Sequence, residues 1–345
     1  MTNSDKKKHI YILDDLRGIA ILFVVIYHYF FVYYKNIDTN NMFINNIKFI
    51  NDYFNFGVFG VSLFFLVSGF VIPMSLKGDN KKQTVYNFAI RRFFRLYPTY
   101  WFAIIFISVV VLVFKDSNAY SIQQILINFT MLQDIFKTKS IDGVFWTLMV
   151  ELKFYFLTAL FFYFAVLKHI KYIIIVFFLL SSITLYLSYI DGTRSFGNSL
   201  FSYLMIMYLG TAFYFYNNNI ITKKNLLFLI ILICIYFSYN HIFLINNAFG
   251  DKLGNSIATI CAIFIFIFAI NYKKSFSQIT TFFGNISYSF YLIHQIIGYL
   301  IISQLIELKI PFAQIIVFLF ITLISYFMNK YVEKTTNQYG YKYVK

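Results

Sequence analysis

The sequence predicts an all-α polytopic membrane protein, and three observations indicate this fold class. Of the 345 residues, 60% are hydrophobic and only 12% are charged, unlike the composition of soluble domains. Apolar stretches of about 20 residues, the length that a helix needs to cross a bilayer, recur along the chain. These stretches lack the alternation of barrel strands, so helices must satisfy the backbone hydrogen bonds inside the membrane.

The apolar stretches predict about ten spans within a single domain, residues 1–345. The first stretch contains Arg17 and His28 and lacks a small-residue cleavage site, which favours a retained helix over a signal peptide. Small residues in GVFGVSLFFLVSGF predict close packing of the second span. Pro98 suits the first turn of the third span, and the outer stretch 115–143 is predicted to carry a short helix in SIQQILINFTMLQ. The predicted spans are 12–34, 55–76, 98–114, 144–167, 172–190, 198–216, 225–245, 255–270, 282–302 and 312–332.

The distribution of positive charge predicts the orientation of these spans. With the N-terminus in the cytoplasm, cytoplasmic segments carry more than twice as many Lys and Arg residues as outer segments. This bias favours both termini inside. The net charge of +15 is scattered over short loops, so the lipid bilayer is the expected partner and nucleic acid is not. Cys234 and Cys261 lie in apolar stretches without zinc-ligand spacing, so no metal site is predicted.

Few ionisable residues fall within the spans, and each is a candidate functional residue because burying charge in a bilayer is costly. Asp14, Arg17 and His28 follow helical spacing on one face of the first span. Arg17 and His28 are about 16 Å apart along the axis, since a helix rises 1.5 Å per residue. Glu151 in the fourth span and His294 in the ninth are predicted at a depth similar to that of His28.

Two further groups accompany these residues. Tyr155 shares a helical face with Glu151, and Ser287 and Tyr291 share one with His294. Arg91, Arg92 and Arg95 precede the third span at the cytoplasmic side, near the expected level of Arg17. Guanidinium groups match phosphate oxygens, so these four arginines form a candidate polyphosphate site.

Simpler interpretations exist for each residue taken alone. The three loop arginines can set orientation and bind anionic lipid. His294 can be a packed, hydrogen-bonded histidine, and Lys153 or a backbone group can neutralise Glu151. The joint occurrence of these residues favours a functional site.

Five motifs, in order, resemble those of the acyltransferase 3 family of membrane O-acyltransferases, over nearly the whole chain. Two departures occur: Asp15 stands where the family often has glycine, and Lys334 where it often has proline, which weakens any role for Glu333. The motifs are LDDLRGIAILFVVIYH with Arg17 and His28, GVSLFFLVSGFVI with Ser68, RRFFRLYP with Arg92 and Arg95, FWTLMVELKFYF with Trp146 and Glu151, and ISYSFYLIHQ with Ser287, Tyr291 and His294.

The resemblance implies transfer of an acyl group, commonly acetyl, from cytosolic acyl-CoA to a hydroxyl of an envelope or exported polysaccharide or glycolipid. It implies a multi-pass membrane protein with no tightly bound cofactor and acyl-CoA as donor substrate. The abundance of Ile, Asn, Lys, Phe and Tyr residues, typical of AT-rich coding, favours a bacterial cell membrane. Because the fused hydrolase-like domain of some members is not expected here, a separate extracytoplasmic protein or a homo-oligomer is an expected partner.

Acyl transfer needs a base and a group that holds the oxyanion. His28 is the expected base, and Glu151 would orient it. His294, Tyr291 or Ser287 would bond to the oxyanion or acceptor. The arginines would hold the coenzyme phosphates. The expected supporting residues are Asp14, Ser68, Trp146, Tyr155, Ser287 and Tyr291. A proton-coupled transporter or glycolipid flippase is the alternative, because it too would carry buried His and Glu residues.

Overall fold

The structure is a computed structural model that describes residues 3–34, 42–114, 120–190, 196–243, 252–272 and 275–344. The described residues form helices and connecting segments, with no strand among them. The all-α prediction is therefore confirmed. The α-helices are α1 (Asn3–Ile26), α2 (Met42–Tyr53), α3 (Phe56–Val71), α4 (Lys81–Val113), α5 (Ile122–Asn128), α6 (Trp146–Tyr163), α7 (Ile170–Ile190), α8 (Phe196–Asn217), α9 (Lys223–Phe243), α10 (Lys252–Tyr272), α11 (Gln278–Glu307), α12 (Ala313–Met328) and α13 (Lys334–Lys342).

Several helices continue into segments of other helical type. A π-helical segment, Tyr27–Val32, extends α1, and another, Asn329–Glu333, joins α12 to α13. Short 3₁₀ segments precede α6 and follow α3, at Gly143–Phe145 and Ile72–Ser75. Within the described part of the chain, eight helical segments are long and apolar enough to cross a membrane. Helices α8 and α9 occupy the predicted sixth and seventh positions and contain 22 and 21 residues.

The prediction that the third span begins at Pro98 is wrong. Helix α4 begins at Lys81, where the side chain of Asn80 caps it by accepting the backbone N–H of Gln83 at 3.1 Å. Pro98 lies inside this 33-residue helix, which membrane proteins tolerate because neighbouring groups compensate for the lost backbone donor. The arginines before Pro98 therefore lie on a helix rather than in a loop.

The outer stretch confirms one local prediction. Helix α5 forms within SIQQILINFTMLQ, and the Ser121 side chain caps it by accepting the backbone N–H of Gln124 at 3.1 Å. The indole of Trp101 donates to the carbonyl of Phe129 at 2.9 Å. This stretch is consequently fastened to α4. Helix α2, by contrast, was not predicted.

The core of the bundle is built on α1, which packs against α3 and α11. A Cβ on Gly18 of α1 would lie 1.9 Å from the carbonyl oxygen of Thr280, and one on Gly284 of α11 would lie 1.9 Å from that of Asp14. Only glycine allows this approach of the two backbones. The close crossing sets the relative depth of the residues that α1 and α11 present to the site.

Asp15 fixes the same crossing by hydrogen bonding. Its fully buried carboxylate accepts the backbone N–H of Phe276 at 2.7 Å and the hydroxyls of Thr280 and Thr281 at 2.8 and 2.5 Å. These groups lie at the start of α11, where backbone donors lack partners within the helix. The departure from the family pattern at this position thus has a structural role.

The second span confirms the prediction of close packing. A Cβ on Gly69 would lie 1.7 Å from the carbonyl oxygen of Met207 in α8, and one on Gly210 would lie 2.2 Å from that of Leu66 in α3. The hydroxyl of Thr211 donates to the Gly69 carbonyl at 2.9 Å. Helix α3 is therefore held rigidly between α1 and α8.

Candidate active site

A cavity of about 90 Å³ lies between α1, α3, α4, α6 and α11, and most of the predicted site residues line it. Its polar lining faces an apolar wall that includes Phe64, Phe65 and Leu148. The polar lining residues are Arg17, Ser68, Arg92, Arg95, Thr147, Glu151, Tyr155, Ser287, Tyr288 and Tyr291. Residues that are far apart in the sequence are thus brought to one place.

Three arginines line one side of this cavity and have different partners. Arg17 forms an ion pair with Asp14 at 3.2 Å, and both side chains are partly exposed. Arg92 donates to the Ser75 hydroxyl at 3.3 Å, and its guanidinium lies 5.4 Å from the ring centroid of Tyr155. Within the described residues, the Nε of Arg92 is buried without a hydrogen-bond partner. Arg92 therefore has a donor available to an anion.

Arg95 differs from the other two because a buried carboxylate already neutralises it. Its guanidinium lies 2.7 Å from Glu333, whose side chain is 1% exposed against 31% for Arg95. Glu333 also accepts the Ser289 hydroxyl at 2.7 Å and the Asn329 amide at 2.9 Å. From the sequence alone Glu333 had little weight, because Lys334 follows it where the family often has proline. One feature of the sequence could have indicated Glu333: it is a single acidic residue directly after the predicted last span, at the membrane surface where the arginines are expected.

Glu151 lines the same cavity and accepts two hydroxyl groups. Ser68 donates to its carboxylate at 2.9 Å and Tyr155 at 2.5 Å. The expected contact between Glu151 and His28 is therefore not the arrangement found. Glu151 instead holds Tyr155, and the Tyr155 ring supports Arg92.

The two histidines form a pair of their own. Nε2 of His294 lies 3.2 Å from Nδ1 of His28, and the ring centroids are 5.0 Å apart. His294 is fully buried. The hydroxyl of Tyr29 donates to the His294 carbonyl at 3.0 Å, and Gly298 leaves room for the Tyr29 ring. The sequence predicted both histidines but not their direct contact.

Carbonyl oxygens fix the tautomers of this pair. Nδ1 of His294 lies 2.8 Å from the carbonyl of Tyr291, so in the neutral ring this nitrogen carries the proton and Nε2 accepts. Nδ1 of His28 faces both that acceptor and the carbonyl of Val24 at 2.9 Å, so it also carries its proton. Nε2 of His28 is left as the nitrogen that can take a proton from a substrate.

Tyr291 connects the histidine pair to the cavity. Its hydroxyl lines the cavity and lies 2.7 Å from the hydroxyl of Thr147, while its carbonyl holds His294. The Tyr291 hydroxyl also donates to the carbonyl of Val144 at 3.0 Å. One turn of α11, from Tyr291 to His294, thus connects the cavity that the arginines line with the histidine pair.

Ser287 lines the cavity, whereas five predicted residues do not: Asp14, His28, Arg91, Trp146 and His294. Arg91 donates through Nε to the carbonyl of Asn87 at 3.3 Å, and its guanidinium lies 6.0 Å from the Tyr341 ring. Trp146 packs at the start of α6 against Tyr203, with ring centroids 4.9 Å apart. Ser287, which does line the cavity, donates to the carbonyl of its own helix at Gly284.

Comparison with known protein families matches residues 10–329 to a family model described as an acyltransferase domain, acyltransferase 3. The match covers the α1 segment through the start of the second π segment and so includes all of the predicted site residues. No curated protein matches the chain, and no solved structure matches it.

Proposed function

Because the chain belongs to the acyltransferase 3 family and is thus a membrane acyltransferase, we propose that it moves an acetyl group from cytosolic acetyl-CoA to a sugar hydroxyl. The acceptor is an envelope or exported polysaccharide or glycolipid, and the location is the bacterial cell membrane. The observation that supports this proposal is the cavity that joins arginines to the turn of α11 bearing His294. Such a cavity can hold an anionic donor, and the histidine pair lies behind its Tyr291 lining without forming part of it.

The donor would be held by the arginines of the cavity. Arg92 has a buried unpaired donor, and Arg17 is only partly neutralised by its exposed partner Asp14. Guanidinium groups bind phosphate oxygens through paired hydrogen bonds. Arg95 contributes less free charge because Glu333 pairs with it. Arg91 lies outside the cavity and has no role in this proposal.

His28 would act as the base through Nε2. As it takes the proton of the acceptor hydroxyl, its ring becomes an imidazolium and donates from Nδ1 to Nε2 of His294. His294 thereby orients the base and stabilises its charged form, a role that a carboxylate has in a catalytic triad. The Tyr291 ring lies 5.6 Å from the His294 ring, and the hydroxyls of Tyr291 and Thr147 would stabilise the oxyanion of the tetrahedral intermediate by turning away from each other and from the Val144 carbonyl.

The atoms and electrons of this transfer balance without another reactant. The acceptor oxygen attacks the thioester carbonyl carbon, a carbon–oxygen bond forms, and the carbon–sulfur bond breaks. The thiolate of CoA then receives the proton held by His28. The full burial of His294 and the partial burial of His28 limit the access of water, which would otherwise hydrolyse the thioester.

The test is release of free CoA from acetyl-CoA by the purified protein in detergent, with and without added glycan acceptor. We expect wild-type protein to release CoA and His28→Ala to lose this activity at unchanged yield. His169→Ala is the matched control, because His169 is an exposed histidine outside the cavity. A wild-type protein that releases no CoA with any acceptor would favour the transporter or flippase alternative, which has no reason to cleave the thioester.

A further inference from the structure

We propose that Asp142 is a positioning residue for the histidine pair: its carboxylate connects the start of the α6 span to the His294 turn of α11 and holds that turn against His28. This inference rests on the proposed function. Asp142 lies in the outer stretch, directly before the spanning segment Gly143–Tyr163. Its side chain is fully buried.

Both oxygens of Asp142 accept hydrogen bonds from backbone groups. One accepts the N–H of Val144 at 3.1 Å, within the 3₁₀ segment that leads into α6. The other accepts the N–H of Ile296 in α11 at 3.3 Å. The carboxylate thus spans two elements that are far apart in sequence.

The segment after Asp142 contacts α11 over more than one turn. Ile296 is two residues from His294, and the carbonyl of Val144 accepts the Tyr291 hydroxyl one turn earlier. From the other side, Tyr29 holds the His294 carbonyl. His294 is therefore clamped between Tyr29 and the segment from Asp142 to Thr147. A change of about 1 Å in such a clamp can cost about 10²-fold in rate when it sets catalytic geometry.

The ionisation of Asp142 gives this clamp a measurable pH dependence. Burial raises the pKa of Asp142 to about 7, although backbone N–H groups of Val144, Ile296 and Gly143 favour the charged form. The titratable groups that act on Asp142 from the packed elements are phenols, which stay neutral at pH 7. They are Tyr29 from the π segment after α1, Tyr100 from α4, and Tyr291 and Tyr299 from α11.

The sign of the effect follows from the need for two acceptor oxygens. Above pH 7 the carboxylate is charged and can accept from both elements. Below pH 7 a proton occupies one oxygen, and one backbone contact is weakened. Because the folded carboxyl binds its proton more tightly than the unfolded chain, the free energy of unfolding falls as pH rises from about 4 to about 7. The charged Asp142 carboxylate thus lowers the free energy of unfolding, and an asparagine at this position would not have this effect.

The test compares Asp142→Asn with Asp134→Asn. Asp134 is the matched control, because it lies in the same outer stretch and pairs with Lys153 rather than with α11. We expect Asp142→Asn to lower kcat about 10-fold with KM for acetyl-CoA within 2-fold of wild type. We also expect the rise of kcat through pH 7 to become less steep, since the Asp142 carboxyl that titrates near pH 7 is gone.

A second measurement does not depend on activity. Hydrogen–deuterium exchange of peptides covering residues 291–298 should become faster in Asp142→Asn and stay unchanged in Asp134→Asn. Wild-type exchange in Asp142→Asn, or an equal loss of kcat in both variants, would overturn the inference. Wild-type protein without acyltransferase activity but with faster exchange in Asp142→Asn would contradict the proposed function and leave the clamp supported.

Discussion

The buried ion pair between Arg95 and Glu333 predicts a stability effect that separates a structural arginine from a ligand-binding one. Arg95→Met removes the cation and leaves the Glu333 carboxylate, 1% exposed, with Ser289 and Asn329 as its remaining side-chain partners in the described part of the chain. We expect the free energy of unfolding to fall by about 3 kcal/mol. Glu333→Gln should cost only about 1 kcal/mol, because Arg95 is 31% exposed and water can solvate it.

The magnitude follows from the burial of the two partners. Removing one member of a buried ion pair costs about 3–5 kcal/mol, since the other charge is left uncompensated. The partial exposure of Arg95 and the two remaining hydrogen bonds to Glu333 place the value at the lower end of that range. The double variant Arg95→Met/Glu333→Gln leaves no buried charge, so it should regain about 2 kcal/mol relative to the sum of the single effects.

The assay is unfolding of the purified protein in mixed micelles of increasing SDS content, followed by tryptophan fluorescence. Arg91→Met is the control, because Arg91 contacts a ring and a carbonyl but no carboxylate among the described residues. Additive effects of the two single substitutions, or a loss for Arg91→Met as large as that for Arg95→Met, would refute the reasoning.

Two further predictions concern the cavity. Arg92→Lys keeps the charge but lacks the planar fork, so it should raise KM for acetyl-CoA several-fold and leave transfer from acetyl-pantetheine unchanged, while the adjacent Arg91→Lys changes neither. Equal sensitivity to both donors would exclude a phosphate contact. Glu151→Gln keeps the shape of the side chain but removes the charge that accepts from Ser68 and Tyr155; because the Tyr155 ring supports Arg92, we expect KM for acetyl-CoA to rise several-fold with little loss of stability. Wild-type KM in this variant would make Glu151 a packing residue.

Much of the fold was predictable because hydrophobic length carries the signal for a membrane helix. The described spans lie close to the predicted ones, and the cap at Ser121 agrees with the predicted short helix. The start of α4 was mispredicted because a proline that suits a helix start is also tolerated inside a membrane helix.

The members of the site were more predictable than their contacts. Helical spacing placed Arg17, Arg92, Glu151 and Tyr291 on faces that do meet in one cavity. Spacing along one helix does not predict how two helices are rotated relative to each other. The contacts of each side chain with other helices could therefore not be predicted. The pairing of His28 with His294 depends on the crossing of α1 with α11.

The two π-helical segments have a consequence for how this chain tolerates insertions and deletions. A π turn contains more residues than the α turn it replaces, and such segments are frequent at functional sites. In an α-helix one extra residue rotates all later side chains by about 100°, since a turn takes 3.6 residues. The segments Tyr27–Val32 and Asn329–Glu333 accommodate such an extra residue within one turn. After the first segment, Tyr34 still contacts Gln314 of α12. After the second, Gly340 still packs against Phe94 of α4. The direction in which the side chains of His28 and Glu333 point thus depends on the number of residues in one turn as well as on which residues the turn contains.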